Sequence, residues 1–98
     1  MKKPYSSYAQ QALRFFSRRE KPDSFKSLAE EQNWAACEAA ISSFNDYDRD
    51  LILKIYLNPD TLSDNIYGLS QERNLPQDML WKLVGEVEKA FAEQRGLI

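Results

Sequence analysis

The chain has 98 residues, 43% of them hydrophobic, with five Phe, five Tyr and two Trp, which suits one domain with its own core and is too apolar for a disordered chain. It has no His and a single cysteine, Cys37, so neither a Cys/His zinc site nor an intrachain disulfide can be assembled within it. The net charge of −2 is unevenly divided: residues 1–26 hold seven bases (Lys2, Lys3, Arg14, Arg18, Arg19, Lys21, Lys26) against Glu20 and Asp23, a balance of +5, whereas residues 27–98 hold six bases against thirteen acids, a balance of −7.

Apolar residues at three-to-four spacing fill most of the sequence, which predicts an all-α domain of about five helices. A first helix is expected over Tyr5–Arg19, with Tyr5, Tyr8, Ala9, Ala12, Leu13 and Phe16 on one face and Arg14, Arg18 and Arg19 off it. Pro22 ends it, and EKPDS reads as a loop. A second helix, Ser27–Phe44, directs Leu28, Trp34, Cys37, Ile41 and Phe44 inward. A third covers Tyr47–Leu57, with Asn45 or Asp46 as its N-cap and Leu51, Ile52, Ile55 and Tyr56 buried, and Asn58-Pro59 closes it. A fourth begins at Thr61, with Asp64 in a capping-box position, and runs through Ile66 and Leu69 to Arg73. Gly68 lies inside this helix at a cost of about 1 kcal/mol relative to Ala. After Asn74-Leu75-Pro76, a long fifth helix buries Leu80, Leu83, Val84, Val87, Ala90 and Phe91 until Gly96 ends it.

Several chemistries find no support. Asp46, Asp48 and Asp50 alternate as in the opening of a calcium loop, but Leu51 and Leu57 stand where that loop needs Gly and a bidentate Glu. Acids at the positive end of a helix explain them better. The acids are expected on solvent faces, and no phosphate loop or nucleophile motif occurs, so the expected protein is not an enzyme and needs no metal or cofactor. Cys37, in WAACEAA, reads as a small buried hydrophobe. No stretch approaches the ~20 apolar residues of a membrane span, and MKKPYSSYAQQ has no apolar run behind its lysines. No membrane partner is expected, and a lone cysteine suits a reducing cytoplasm.

The corner SQERNLPQDMLWK carries the functional signal. A helix-turn-helix needs a small residue where its helices cross, a turn residue tolerant of positive φ, and apolar anchors on the second helix. Ser70, Asn74, and Leu75 with Leu80 and Leu83 can supply these, and Pro76 fits the first turn of the second helix. An ordinary helical hairpin uses the same turn chemistry.

Residues 34–98 resemble the region 4-type DNA-binding domain of sigma factors, in the small variants found in phages and integrative elements as transcriptional regulators. The residues that carry the likeness are FNDYDRDLILKIY (Phe44–Tyr56), then IYGLSQERNLPQDMLWKL, and a long helix ending in RGLI. Together with the charge division, the resemblance sets the expected organisation: a basic N-terminal helix and loop over residues 1–26 packing on a sigma-like domain over 27–98, with the helix-turn-helix at about 61–95. It further implies double-stranded DNA as partner, with Gln77, Asp78, Trp81 and Lys82 facing the major groove and Arg73 and Lys89 meeting the backbone. Gln can pair with adenine and Lys can meet guanine or phosphate. Arg14, Arg18 and Arg19 are the candidate phosphate contacts of the first helix. The chain differs from the family in carrying Asp78, Glu86 and Glu88 in a helix usually rich in Arg and Lys, and Asn74 where the turn usually has Gly.

The leading expectation is a DNA-binding transcriptional regulator. The alternative is a protein-interaction module that retains the sigma-like fold and presents Trp81, ringed by Asp78 and Glu88, to RNA polymerase or another regulator. A third arrangement would have residues 1–26 fold over the corner and neutralise it.

Overall fold

The computed structural model describes residues 3–98; Lys2, counted in the basic segment, lies outside the described residues. Five helices follow in chain order, α1 (Ser6–Arg18), α2 (Leu28–Ser42), α3 (Asp46–Leu57), α4 (Leu62–Arg73) and α5 (Gln77–Arg95), with no strand among the described residues. The fold class is therefore the expected one. The radius of gyration, 13.0 Å, is that of a single packed domain of this length. None of the helices is long and apolar enough to cross a membrane among the described residues.

Local chemistry sets the helix starts. Ser27 accepts from the Glu30 amide at 3.1 Å, Asn45 from Asp48 at 2.8 Å and Thr61 from Asp64 at 3.2 Å, each satisfying one of the free donors of a first turn. Asn45 is thus the cap of α3, and Asp46 is its first helical residue. α4 and α5 end alike: Asn74 (φ 53°) and Gly96 (φ 76°) turn left-handed, and the next amides, Leu75 and Leu97, reach back to the carbonyls of Ser70 at 3.0 Å and Ala92 at 2.8 Å.

Helices α3 and α5 form the centre, each packing against all four of the others. Leu51, Ile52, Ile55 and Tyr56 of α3 and Leu80, Val87 and Phe91 of α5 are fully buried, joined by Leu13, Cys37 and Ile66. Each such Leu, Ile or Phe contributes about 1.5–3 kcal/mol relative to exposure. Trp34 is buried against Phe15, Phe16 and Phe25, closing the α1–α2 side.

Four expectations are corrected. Leu28 is 67% exposed, because as the first residue of α2 it projects from the capped turn before the helix reaches the core. α2 stops at Ser42, and Phe44 packs on the core from the connection beyond it. Tyr8 is only partly inward: its ring lies 6.2 Å from that of the buried Phe91, but it is 38% exposed, its hydroxyl donating to Asn33 Oδ1 at 2.9 Å. Pro76 is the N-cap of α5, with ψ 137°, and not part of its first turn; its fixed φ suits the extended entry.

Two mid-helix glycines have no packing reason within the fold. Gly68 and Gly85 are exposed, and a Cβ at either would meet nothing within 4 Å. Each lowers helix stability by about 1 kcal/mol relative to Ala.

Candidate functional site

The α4–α5 corner is fixed by three local devices. Asn74 takes the left-handed turn, the buried Ser70 hydroxyl donates to the Leu75 carbonyl, and the Leu75 side chain packs on the core. Beyond the corner, Leu80, Leu83 and Val84 bury one face of α5, which leaves Gln77, Asp78, Trp81 and Lys82 exposed on the other. These four share one surface through their one-turn spacing. Trp81 is 41% exposed, and Lys89, two turns past Lys82, is also exposed.

The other candidate bases have protein partners. Arg14 is half-buried, and its two terminal nitrogens donate to the carbonyls of Asn58 and Asp60, both at 2.8 Å. Arg18 reaches the Leu57 carbonyl at 3.5 Å. Both therefore serve the end of α3 and the loop after it, where a helix leaves carbonyls unsatisfied and presents negative potential. Arg73 bonds Asp50 on α3 at 3.1 Å, and Lys54 lies 3.8 Å from the same carboxylate. Arg19 is exposed, its guanidinium 4.7 Å from the Phe15 ring centre. Thus Gln77, Asp78, Trp81 and Lys82 come together, while Arg14 and Arg18 lie along the α3–α4 connection. α1 packs on α2, α3 and α5, and the front of the corner stays open to solvent.

Glu88 requires a correction. The acids are not all on solvent faces: Glu88 is 4% exposed and accepts the Tyr56 hydroxyl proton at 2.7 Å, tying α5 to α3, so it does not ring Trp81 at the surface. Its position was readable, since it stands four residues after Val84 and three before Phe91, on the buried stripe. Burial first, and the Glu88 charge second, push the Tyr56 phenol well above its ordinary value. Burial likewise raises the Cys37 thiol to about 12, which makes it a poor nucleophile.

Sequence reasoning also missed Asn65. This buried side chain donates to the carbonyls of Ile55 and Asn58, both at 2.8 Å, so that α4 holds the end of α3 and shares the Asn58 carbonyl with Arg14. Its spacing, three residues after Leu62 and four before Leu69, puts it on the buried stripe of α4, but spacing does not name the carbonyls it bonds. A further feature is a groove of about 610 Å³ between the start of α1, the start of α4 and the middle of α5, with Trp81 on its wall. Among the described residues, no cluster of three His, Cys, Asp or Glu side chains is arranged to hold a metal.

The molecule is thus a five-helix all-α domain whose last two helices meet at a fixed corner and expose a polar and aromatic face. No protein-family model matches the chain, and no curated protein or solved structure matches it significantly.

Proposed function

We propose that the protein is a DNA-binding transcriptional regulator and that the α4–α5 corner acts as a helix-turn-helix, with the start of α5 in the major groove. One observation carries the reading: a rigid corner is followed by exposed Gln77, Asp78, Trp81 and Lys82 on a single face of α5. Gln77 has the donor and acceptor to pair with adenine, Asp78 can accept from cytosine, and Lys82 can meet guanine or phosphate. The likeness to sigma region 4 supports the same assignment.

Selection from a random duplex library at low salt, followed by polarisation titrations, tests it. Lys82→Ala should weaken all duplexes and reduce the salt slope by about 1, whereas Gln77→Ala should relax preference at one base pair at a cost of about 1–3 kcal/mol. Failure to enrich any duplex would sink the reading.

The protein-interaction alternative has its own observation. Arg14, Arg18 and Arg73 are engaged by carbonyls and a carboxylate, which reduces the charge available to phosphates, and a half-exposed Trp81 is the kind of side chain that anchors protein interfaces.

A further inference from the structure

Trp81, Gly85 and Lys89 stand one helical turn apart along one edge of α5, so that the glycine leaves a gap between an indole and an ammonium group. The gap opens into the groove of about 610 Å³, whose other walls come from Tyr5, Leu62 and Val84. Gly85 weakens its helix and has open space where a Cβ would stand, so nothing inside the fold accounts for it. Gly68 is equally open, so what singles out Gly85 is its place in the groove between Trp81 and Lys89, where it lets an outside group approach closely.

The charge of the groove is equally specific. Lys3 and Lys89 line it, and α4 borders it at Thr61 and Ser63, the first-turn acid of that helix, Asp64, lying outside the lining. Its one acid, Glu88, is 4% exposed and bonded to Tyr56. Every exposed lining residue is therefore neutral or cationic, on a chain with more acids than bases.

We infer that the groove between α1, α4 and α5 is a docking site for an acidic peptide segment of a protein partner, with a large apolar side chain seated against Trp81 and its backbone passing over Gly85. The acidic groups meet Lys3 and Lys89, and the apolar group fills a concave wall that a sugar-phosphate chain has no side chain to fill. Trp81 belongs both to the proposed duplex face and to this groove, so duplex binding is read separately, through Lys82 and Gln77.

Panning a phage-displayed random peptide library against the full chain provides the test. Enriched sequences should join Phe, Trp or Leu to Asp or Glu, and a synthetic peptide of the enriched sequence should bind the chain in a polarisation assay. Gly85→Ala should weaken that peptide about tenfold, the loss of one good interface contact, while the thermal midpoint rises by about 4 °C. Gly68→Ala provides the control: it adds the same methyl group to a groove edged by Asp64 and Glu72, and should raise the midpoint without affecting the peptide. Lys89→Glu should weaken the peptide as well. Enrichment without acidic and apolar residues, or peptide affinity unchanged in Gly85→Ala, would overturn the inference. So would a Gly85→Ala variant that loses duplex affinity and keeps the peptide, since the groove would then serve nucleic acid.

Discussion

The two connections on either side of α4 solve the same problem by different means. Where α3 gives way to α4, side chains from elsewhere satisfy the exposed carbonyls: Arg14 and Arg18 from α1 and Asn65 from α4 converge on Ile55, Leu57, Asn58 and Asp60. Where α4 gives way to α5, everything needed lies within six residues, with Asn74 in the left-handed region and Ser70 bonded to both the amide and the carbonyl of Leu75. One joint is built from long-range contacts, and the other is built locally. The local joint fixes the turn from which the exposed face of α5 starts, and packing of α5 on α1, α2 and α3 holds the helix beyond it.

The comparison is broken most directly at Asn65. Replacing it with Ala removes the amide bonds to the Ile55, Asn58 and Asp60 carbonyls, and the expected loss is about 3 kcal/mol in urea unfolding. Arg14→Ala should cost less alone, because Asn65 still serves the Asn58 carbonyl. The double variant should be non-additive, since the two side chains share acceptors. Additive losses would show that the joint is not one network.

A second long-range bond, from Tyr56 to Glu88, extends the test to pH. Tyr56→Phe removes a charge-assisted hydrogen bond and should cost about 2 kcal/mol at neutral pH. The folded protein holds the phenolic proton more tightly than the unfolded chain, so this contribution is complete below the ordinary value of 10.0 and falls as the pH rises toward the higher folded value. Cys37 behaves in the same sense, losing its contribution between the ordinary 9.0 and about 12. Wild type should therefore lose stability above pH 9, and Tyr56→Phe should lose less of it above pH 10. Urea midpoints across that range measure the difference, and parallel curves would remove Tyr56 from the account.

The same contrast decides what could be read from the sequence. The fold was legible because apolar spacing fixes the buried stripes: all four inward residues expected on α3 are fully buried, and Asn45, Thr61 and Gly96 act at the helix ends where their types suggest. Asn74 was legible because a turn acts through its own backbone, whereas Ser70, expected only as a small residue at the helix crossing, also donates its hydroxyl to the Leu75 carbonyl. Arg14 was not, because its partners are 44 and 46 residues away and a base off the apolar face reads equally well as a phosphate contact. Asn65 lay on the stripe of Leu62, Ile66 and Leu69, but a polar amide argues against burial until its carbonyl partners are known. Glu88 lay on the buried stripe, but charge argued against burial until Tyr56 supplied the donor.

Within the local joint, Ser70→Ala should have the larger effect. It removes the hydroxyl bond to Leu75 without opening a sizeable cavity, and the expected cost is about 1.5 kcal/mol because the Leu75 carbonyl loses its donor. If the face of α5 depends on that bond, the variant should also broaden the amide resonances of Gln77 and Asp78 while leaving those of α3 sharp. An equal disturbance at α3 would mean that the two joints are coupled after all.

The smallest effect is expected at Asn74, where two replacements separate backbone strain from side-chain chemistry. Asn74→Gly keeps access to the left-handed region and gains freedom in the unfolded chain, so its stability should stay within about 0.5 kcal/mol of wild type. Asn74→Ala forces a methyl-bearing residue into φ 53° and should cost about 1 kcal/mol. The ordering Gly, Asn, then Ala in urea midpoint is the signature of a turn governed by backbone conformation alone. Asn well above Gly would instead show that the Asn74 side chain makes a stabilising contact of its own, and the joint would then be less local than its hydrogen bonds imply.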